Sequence, residues 1–389
     1  MPNGHLKKLL FHFWYIAPIA VMVVVIVFLI NLSVTAGSDF KSTKQKLDET
    51  KKELSSLKNV DQVKRNNDLE SVIKSIEETY KKAVKVNEAI QDLSDQKQKT
   101  ADYEKDITSS LALLADRKYA SASSLLTTLS KKIEDDAQKA AATTASSPSL
   151  SNAPANNTAP QSGFSTQKVN AGIGEYTVSL IAGDLSSTKV IVDTASDSDC
   201  RDNCPVLSLG DYVARNGAYA GVNGSYFCPA SYPTCAGKTN SFDTLVMNKN
   251  KTYFNSDNNV YSNVPVAVFG NGFARFIGQS SGWGRDTGVD GVIANQPLLL
   301  SGGNVAFGGD GDPKKGSKGT RSFVGSKGST VYIGVVYNAT VAEVAYVLKT
   351  LGLENALNLD SGGSTALWSG GYKAGPGRNI PNAVLFVRR

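Results

Sequence analysis

Between Phe11 and Leu32 the chain runs for 22 residues without an Asp, Glu, Lys or Arg. A run of that length is long enough to cross the hydrocarbon core of a bilayer as a helix, and it constrains everything C-terminal to it. Pro18 falls early in the run, where a kink is tolerated, and Trp14 and Tyr15 stand where an aromatic belt meets the cytoplasmic interface. The short basic N-terminus with His5, Lys7 and Lys8 should stay in the cytoplasm, although Lys41, Lys44 and Lys46 just past the run weaken the charge asymmetry. A cleavable signal is the rival reading, because Val34-Thr35-Ala36 resembles a small-residue cleavage site; the apolar run is longer than the usual signal core. The sequence therefore predicts a cytoplasmic tip and retained single-pass anchor over residues 1–36, with the C-terminal domain outside the cytoplasm.

Cysteine usage agrees with export. Cys200, Cys204, Cys228 and Cys235 are the only four, and their spacings, C-x3-C and C-x6-C, fit a zinc site poorly. Disulfides are expected in an exported domain. Pairing each neighbouring couple is one of three connectivities, among which sequence does not choose. The formal net charge of +6 is spread along the chain, with no basic stripe interleaved with aromatics, so nucleic acid is not expected as a partner. The mild positive charge suits an anionic envelope polymer or membrane surface instead.

Residues 37–142 have a different character. After Gly37 this stretch holds no glycine and no proline, and Leu69, Ile73, Ile76, Tyr80, Ala83, Asn87 and Ile90 recur at spacings of four and three. A second stripe, Leu111, Leu114, Leu125, Leu129 and Ile133, follows a break near Ser94 to Thr100. An α-helical hairpin or short coiled coil is expected, acting as a stalk, a self-association or partner-docking element, or a solvated spacer. Residues 143–166, rich in Ala, Ser, Thr, Asn and Pro with Pro148, Pro154 and Pro160 spaced through them, read as a flexible linker.

From 167 to 389 short β-rich runs alternate with Gly and Asn turns, which predicts an α+β domain with a mixed sheet. Strands are expected near Tyr176–Ile181, Lys189–Asp193, Ala218–Val222, Val264–Phe269, Thr330–Tyr337, Ala356–Leu359 and Ala383–Val387. Two helices stand out: Ser208 to Asn216, stopped by Gly217, and Thr340 to Leu351, which starts at a Thr cap and stops at Gly352.

Within this domain, the apolar approach Leu353 to Leu359 delivers Asp360 into a Ser361-Gly362-Gly363-Ser364-Thr365 turn. Glycines there let a ligand approach the backbone, and successive N–H groups can form an anion nest. A capped strand-to-helix connection is the plainer reading of that turn taken alone. Three further stretches accompany it: Gly221-Val222-Asn223-Gly224-Ser225-Tyr226-Phe227, Gly319-Thr320-Arg321-Ser322-Phe323-Val324-Gly325 and Arg378-Asn379-Ile380-Pro381-Asn382-Ala383-Val384-Leu385. In this order the set resembles the phosphodiester glycosidase family, whose pattern runs N-G-x-F-F, R-T-A-x-G, N-L-D-G-G-G-S-T and R-x-V-x-N-A-L. The resemblance spans about residues 168 to 389. Ser361 stands where the family has the first Gly of its triple, and Ser322-Phe323 replaces Thr-Ala; both departures bear on substrate identity more than on fold.

The chemistry open to such a domain is limited. The only histidines, His5 and His12, lie before or inside the apolar run, so Ser-His-Asp, Cys-His and His-ligated zinc chemistry are excluded from the exported part. The resemblance implies hydrolysis of a sugar-1-phosphodiester in a glycan or cell-envelope polymer, with Asp360 as base or nucleophile and Arg321 and Arg378 gripping the phosphate bidentately. Asn223 and Asn382 would hold sugar hydroxyls or the attacking water, and Gly224, Ser361, Gly362, Gly363 and Ser364 would line the substrate. A divalent cation such as Ca²⁺ is compatible with this set; Asp193 and the loop Gly309-Asp310-Gly311-Asp312 are secondary candidates for binding it, although the loop lacks full EF-hand spacing. The contrasting reading is a non-catalytic envelope protein that binds an anionic glycan while its helical stalk recruits a partner.

Overall fold

The computed structural model describes residues 5–59, 61–96, 98–145, 150, 152–255 and 263–389. The chain divides into two compact units, residues 1–76 and 77–389. The first unit is helical. Helix α1 spans His5–Asn59, and helix α2, Asp61–Asp95, begins in this unit and continues into the second. From Val21 to Leu32 the side chains are exposed, Val24 at 67% and Phe28 at 62%, so among the described residues nothing covers this part of the apolar run. It is the one described helix long and apolar enough to cross a membrane, a test that a signal sequence also passes. The side chains of Trp14 and Tyr15 lie outside the described ones, as do those of Val34 and Ala36.

In the second unit α2 packs with helix α3, Ala101–Ala115, and helix α4, Tyr119–Ala145. Ala83, Val86, Ile90 and Leu93 face Tyr103, Ile107 and Leu114 of α3 and Ala122, Leu126, Leu129 and Ile133 of α4. The expected break after residue 94 is present, but the product is a three-helix bundle rather than a hairpin, because Asp116 to Lys118 turn the chain a second time. Leu126 takes the inner position expected of Leu125, and Leu111 and Tyr80 remain exposed. Arg117 sits at φ 61°, closing the turn between α3 and α4.

The expected linker is shorter than 143–166. Helix α4 runs to Ala145, Pro148 lies outside the described residues, and the chain from Pro154 packs on the β-domain. There Lys168 N–H donates to the Pro154 carbonyl (2.9 Å) and Ala159 N–H to that of Leu351 (3.2 Å). Bonding of this kind ties down a polar segment that composition alone reads as free.

Three sheets build the rest. The largest has the spatial order β1 (Gly163–Asn170), β2 (Glu175–Asp184), β13 (Thr330–Ala339), β12 (Gly319–Lys327), β14 (Asn355–Asn358), β10 (Leu298–Ser301) and β11 (Asn304–Val305). The second runs β16 (Tyr372–Ala374), β15 (Leu367–Ser369), β4 (Ala220–Asn223), β17 (Asn382–Arg388) and β3 (Thr188–Thr194). The third, β6 (Tyr253–Phe254), β5 (Val246–Met247), β9 (Gly291–Ala294), β7 (Val266–Gly270) and β8 (Phe273–Ile277), covers one side. The α+β class holds, and each expected strand overlaps an observed one, with ends that agree to within three residues. Pairings between the named strands are antiparallel where a mixed sheet was expected, in keeping with tight returns such as Gly328-Ser329 between β12 and β13.

Residues of all three sheets meet in one core that includes Val192, Val222, Phe269, Val324, Leu357, Leu359 and Phe386. Helix α5, Leu209–Asn216, has a Ser208/Asp211 capping box and stops at Gly217 in the left-handed region. Helix α6, Val341–Thr350, has a Thr340/Glu343 capping box and buries Val341, Val344, Ala345, Val347 and Leu348 against Val178, Phe323, Val336 and Ala356. It leads through Gly352 at φ 80° into β14, so its packing fixes where that strand ends and Asp360 begins.

Candidate active site

The four motifs lie far apart in sequence and come together at the ends of β4, β12, β14 and β17. Asn223 closes β4 and is fully buried. Its Nδ2 donates to the Asp360 carbonyl at 2.6 Å, while its Oδ1 accepts from Ser322 Oγ at 2.8 Å and from Ala366 N–H at 3.1 Å. One side chain therefore joins the first motif to the second and third. Asp360 N–H returns a bond to the Gly224 carbonyl (3.0 Å), and Ser361 Oγ accepts from Ser322 N–H (3.2 Å). The hydroxyl that Ser361 brings in place of a family glycine thus ties the Asp360 turn to β12.

Asn382, at the start of β17, is equally buried; its Oδ1 accepts from Ser225 N–H at 2.9 Å and its Nδ2 donates to Ser225 Oγ at 3.1 Å. Gly224 is required by this contact, because a Cβ there would lie 1.8 Å from Asn382 Oδ1 and 2.6 Å from the Asn382 carbonyl. Both asparagines were expected to hold substrate. Their amides instead bind the strands together, because a buried amide must find partners within the fold.

Arg321 also has a different task from the expected phosphate grip. Its Nε donates to the Ala339 carbonyl (3.1 Å) and its Nη2 to the carbonyls of Lys314 (2.7 Å) and Ser317. A bidentate fork on an external phosphate would need those same donors. Burial lowers the Arg321 pKa, against which Tyr226, Asp312 and Asp360 favour its charge.

Asp360 and Arg378 lie in each other's field. Crowding protein atoms raise the Asp360 carboxyl to about 6, opposed by bonding from Ser364, the Arg378 charge and Ser361 N–H (2.9 Å), and assisted by Asp92. The single turn Gly362–Ser364 follows, with Gly362 at φ 65°, a conformation that favours glycine. Arg378 N–H donates to the Gly363 carbonyl at 2.7 Å, and its side chain lies against Gly363, where a Cβ would come within 2.3 Å of Nη2. Burial opposes the Arg378 charge, but Asp92, Tyr232, Asp95 and Asp360 hold its pKa above the usual value.

Sequence reading did not find several residues around this pair. Tyr226 Oη accepts from Asn358 Nδ2 (2.9 Å), and Asn295 joins them, accepting from Tyr226 N–H (3.0 Å) and donating to the Asn358 carbonyl (2.8 Å). Asn358 Oδ1 is buried with no hydrogen-bond partner among the described residues. Tyr232 sits in the loop closed by Cys228–Cys235, its ring 5.4 Å from the Arg378 guanidinium. From the bundle, Asp92 and Asp95 both pair with Arg378. The spacing of Glu88, Asp92 and Asp95 on one helix face was the available signal.

The disulfides join Cys200 to Cys204 and Cys228 to Cys235. Among the described residues no three His, Cys, Asp or Glu side chains converge as a metal-binding group. Asp193, a candidate Ca²⁺ ligand, is instead held by Arg215 at 2.7 Å and Lys249 at 3.5 Å. In the second candidate, Asp312 caps the turn Pro313–Gly316 and Asp310 pairs with Lys315. Positive charges and backbone N–H groups already occupy these carboxylates.

Residues 216–387 match the family model described as phosphodiester glycosidase, which bears out the resemblance read from the motifs and the enzyme class that goes with it. No curated protein matches by sequence. Among solved structures, the catalytic domain of zebrafish N-acetylglucosamine-1-phosphodiester alpha-N-acetylglucosaminidase is similar at 15% identity and a TM-score of 0.45, covering 61% of this chain and 87% of that one. A hypothetical protein from Synechocystis is similar at 13% identity and a TM-score of 0.42, over 58% of this chain and 62% of its own.

Proposed function

We propose that the C-terminal domain hydrolyses a sugar-1-phosphodiester linkage in a glycan or cell-envelope polymer outside the cytoplasm, with the protein held at the membrane by α1. The observation that carries this reading is the meeting of Asp360 and Arg378, from two separate family motifs, across the Gly362–Ser364 turn. Cleavage at the anomeric carbon releases a phosphate monoester, a good leaving group, so charge stabilisation and positioning matter more than protonation. Above a pH of about 6 Asp360 is a carboxylate and can stabilise positive charge at the sugar, acting as base or nucleophile. Arg378 takes the phosphate oxygens, Gly362 and Gly363 provide backbone donors beside them, and the Ser364 side chain bonds to Asp360. Asn223, Ser361, Gly224 and Asn382 act as positioning residues: they set the Asp360 loop against β4, β12 and β17.

Export is supported by the apolar helix together with two disulfides. Self-association through α1 belongs to the same proposal, because Phe40, Leu47 and Leu54 are exposed at heptad spacing. Cross-linking of the full chain in membranes tests it, with Leu47→Glu expected to abolish the dimer. The hydrolytic reading is tested by release of sugar from a panel of sugar-1-phosphodiesters, including UDP-N-acetylglucosamine, with and without EDTA. Equal binding of an anionic glycan by wild type and Asp360→Asn, with no turnover by either, would support a binding protein instead.

A further inference from the structure

Within the second unit, the C-terminal part of helix α2 presents two different faces. Ala83, Val86, Ile90 and Leu93 face the core of the three-helix bundle. Glu88, Asp92 and Asp95, at spacings of four and three, form a ridge along the other side and meet the rim of the candidate active site. Glu88 accepts a hydrogen bond from Thr234 Oγ1 and faces Lys314 Nζ at 3.9 Å. Asp92 accepts from Tyr232 Oη at 2.6 Å and from Arg378 Nη2. Asp95 Oδ2 lies 2.8 Å from the same Nη2. The Arg378 side chain is left only 10% exposed, with its Nε buried and without a hydrogen-bond partner among the described residues.

A guanidinium that carries two carboxylates in a nearly closed site has no room for a phosphate as well. The charges conflict too: a phosphodiester placed beside Asp92, Asp95 and Asp360 would meet three acids around one arginine. That repulsion also argues against Asp92 as a second catalytic carboxylate working next to bound substrate. We infer that the acidic ridge of α2 occupies the anion position on Arg378, with the Asp92 and Asp95 oxygens standing where phosphate oxygens would bind. The helical bundle is then a built-in competitor that must leave the Arg378 face before an anionic ligand can take it. The inference rests on the reading of Arg378 as the phosphate-holding residue.

Two measurements on the full chain in detergent micelles test it, neither of which uses turnover, so that hydrolysis can fail or succeed independently. The first is binding of inorganic phosphate to wild type and to Asp92→Asn/Asp95→Asn by calorimetry. If the closed arrangement dominates by about ten to one, removing the competing charges should tighten phosphate binding by roughly tenfold. Equal or weaker binding by the variant, including no binding by either form, would overturn the inference. The second is hydrogen exchange of the wild type with and without saturating phosphate. Amides of residues 88–95 and of the Tyr232 loop should exchange faster when phosphate displaces the ridge. Unchanged exchange, or protection, would overturn it. In turnover assays, a fall in kcat for the double variant at unchanged KM would make Asp92 or Asp95 a catalytic group and likewise contradict it.

Discussion

Replacing Asn223 by Ala separates a positioning role from a substrate-binding one. The side chain is 0% exposed and makes three hydrogen bonds, to the Asp360 carbonyl, Ser322 Oγ and Ala366 N–H. Its truncation leaves two backbone groups without these partners in a closed space, and each buried unsatisfied group costs about 1–3 kcal/mol. The serine hydroxyl can rotate towards another acceptor, so the expected loss is about 4 kcal/mol, chiefly from the two backbone groups. For a domain of this size that corresponds to a fall of roughly 10 °C in Tm. The assay is thermal unfolding of the full chain followed by tryptophan fluorescence, since Trp283 and Trp368 both lie in the β-domain. A loss below about 1 kcal/mol accompanied by abolished turnover would refute the reasoning, because it would mean that the amide serves the ligand and not the Asp360 loop.

Other consequences follow from the same geometry. Asp360 titrates near 6 in the fold against 3.8 for the unperturbed group, so the folded state holds an extra proton between those values. Stability should therefore fall as pH rises through that window while kcat/KM rises, and Asp360→Asn should remove both slopes in paired melting and rate profiles. Gly363→Ala places a Cβ 2.3 Å from Arg378 Nη2 and should displace that side chain with the fold intact. Loss of one charged hydrogen bond, about 1.5–3 kcal/mol, predicts a KM raised by about ten- to a hundredfold. Gly224→Ala, at 1.8 Å from Asn382 Oδ1, should prevent the β4 and β17 ends from closing, seen as loss of folded protein on expression. Cys228→Ser/Cys235→Ser unties the loop that carries Tyr232 and should lower stability by about 2 kcal/mol in urea unfolding.

Much of the fold was legible because local signals agreed with it. The Thr340 cap, the apolar face of α6 and Gly352 mark a helix that the core uses as expected. Strand β12 carries Arg321 but is hard to read in the sequence, because Gly319, Ser322, Gly325 and Ser326 hide its alternation; it is a central strand paired along both edges, by β13 and β14, and its faces are both buried, Phe323 and Val324 entering different cores. In the site, motif positions single out Asp360 and Arg378, which the fold brings to one turn, but they do not show which side chains the fold itself uses up. Asn223, Asn382 and Arg321 are satisfied by contacts from more than fifteen residues away or by backbone carbonyls, which spacing along the chain does not encode. Asp92 and Asp95 were hidden for a related reason. On an exposed helix an acid face reads as solvation, and only the docking of the bundle near Tyr232 brings it to Arg378.

Turnover of a sugar-1-phosphodiester panel is the most direct test of the central claim, run on the full chain, on Asp92→Asn/Asp95→Asn and on that variant with Asp360→Asn added. The account predicts sugar release by the double variant at a KM below that of the wild type, and none once Asp360 is replaced. Release that persists without the Asp360 carboxylate would contradict the assignment of the site, and absence of release from every form would contradict the hydrolytic function itself.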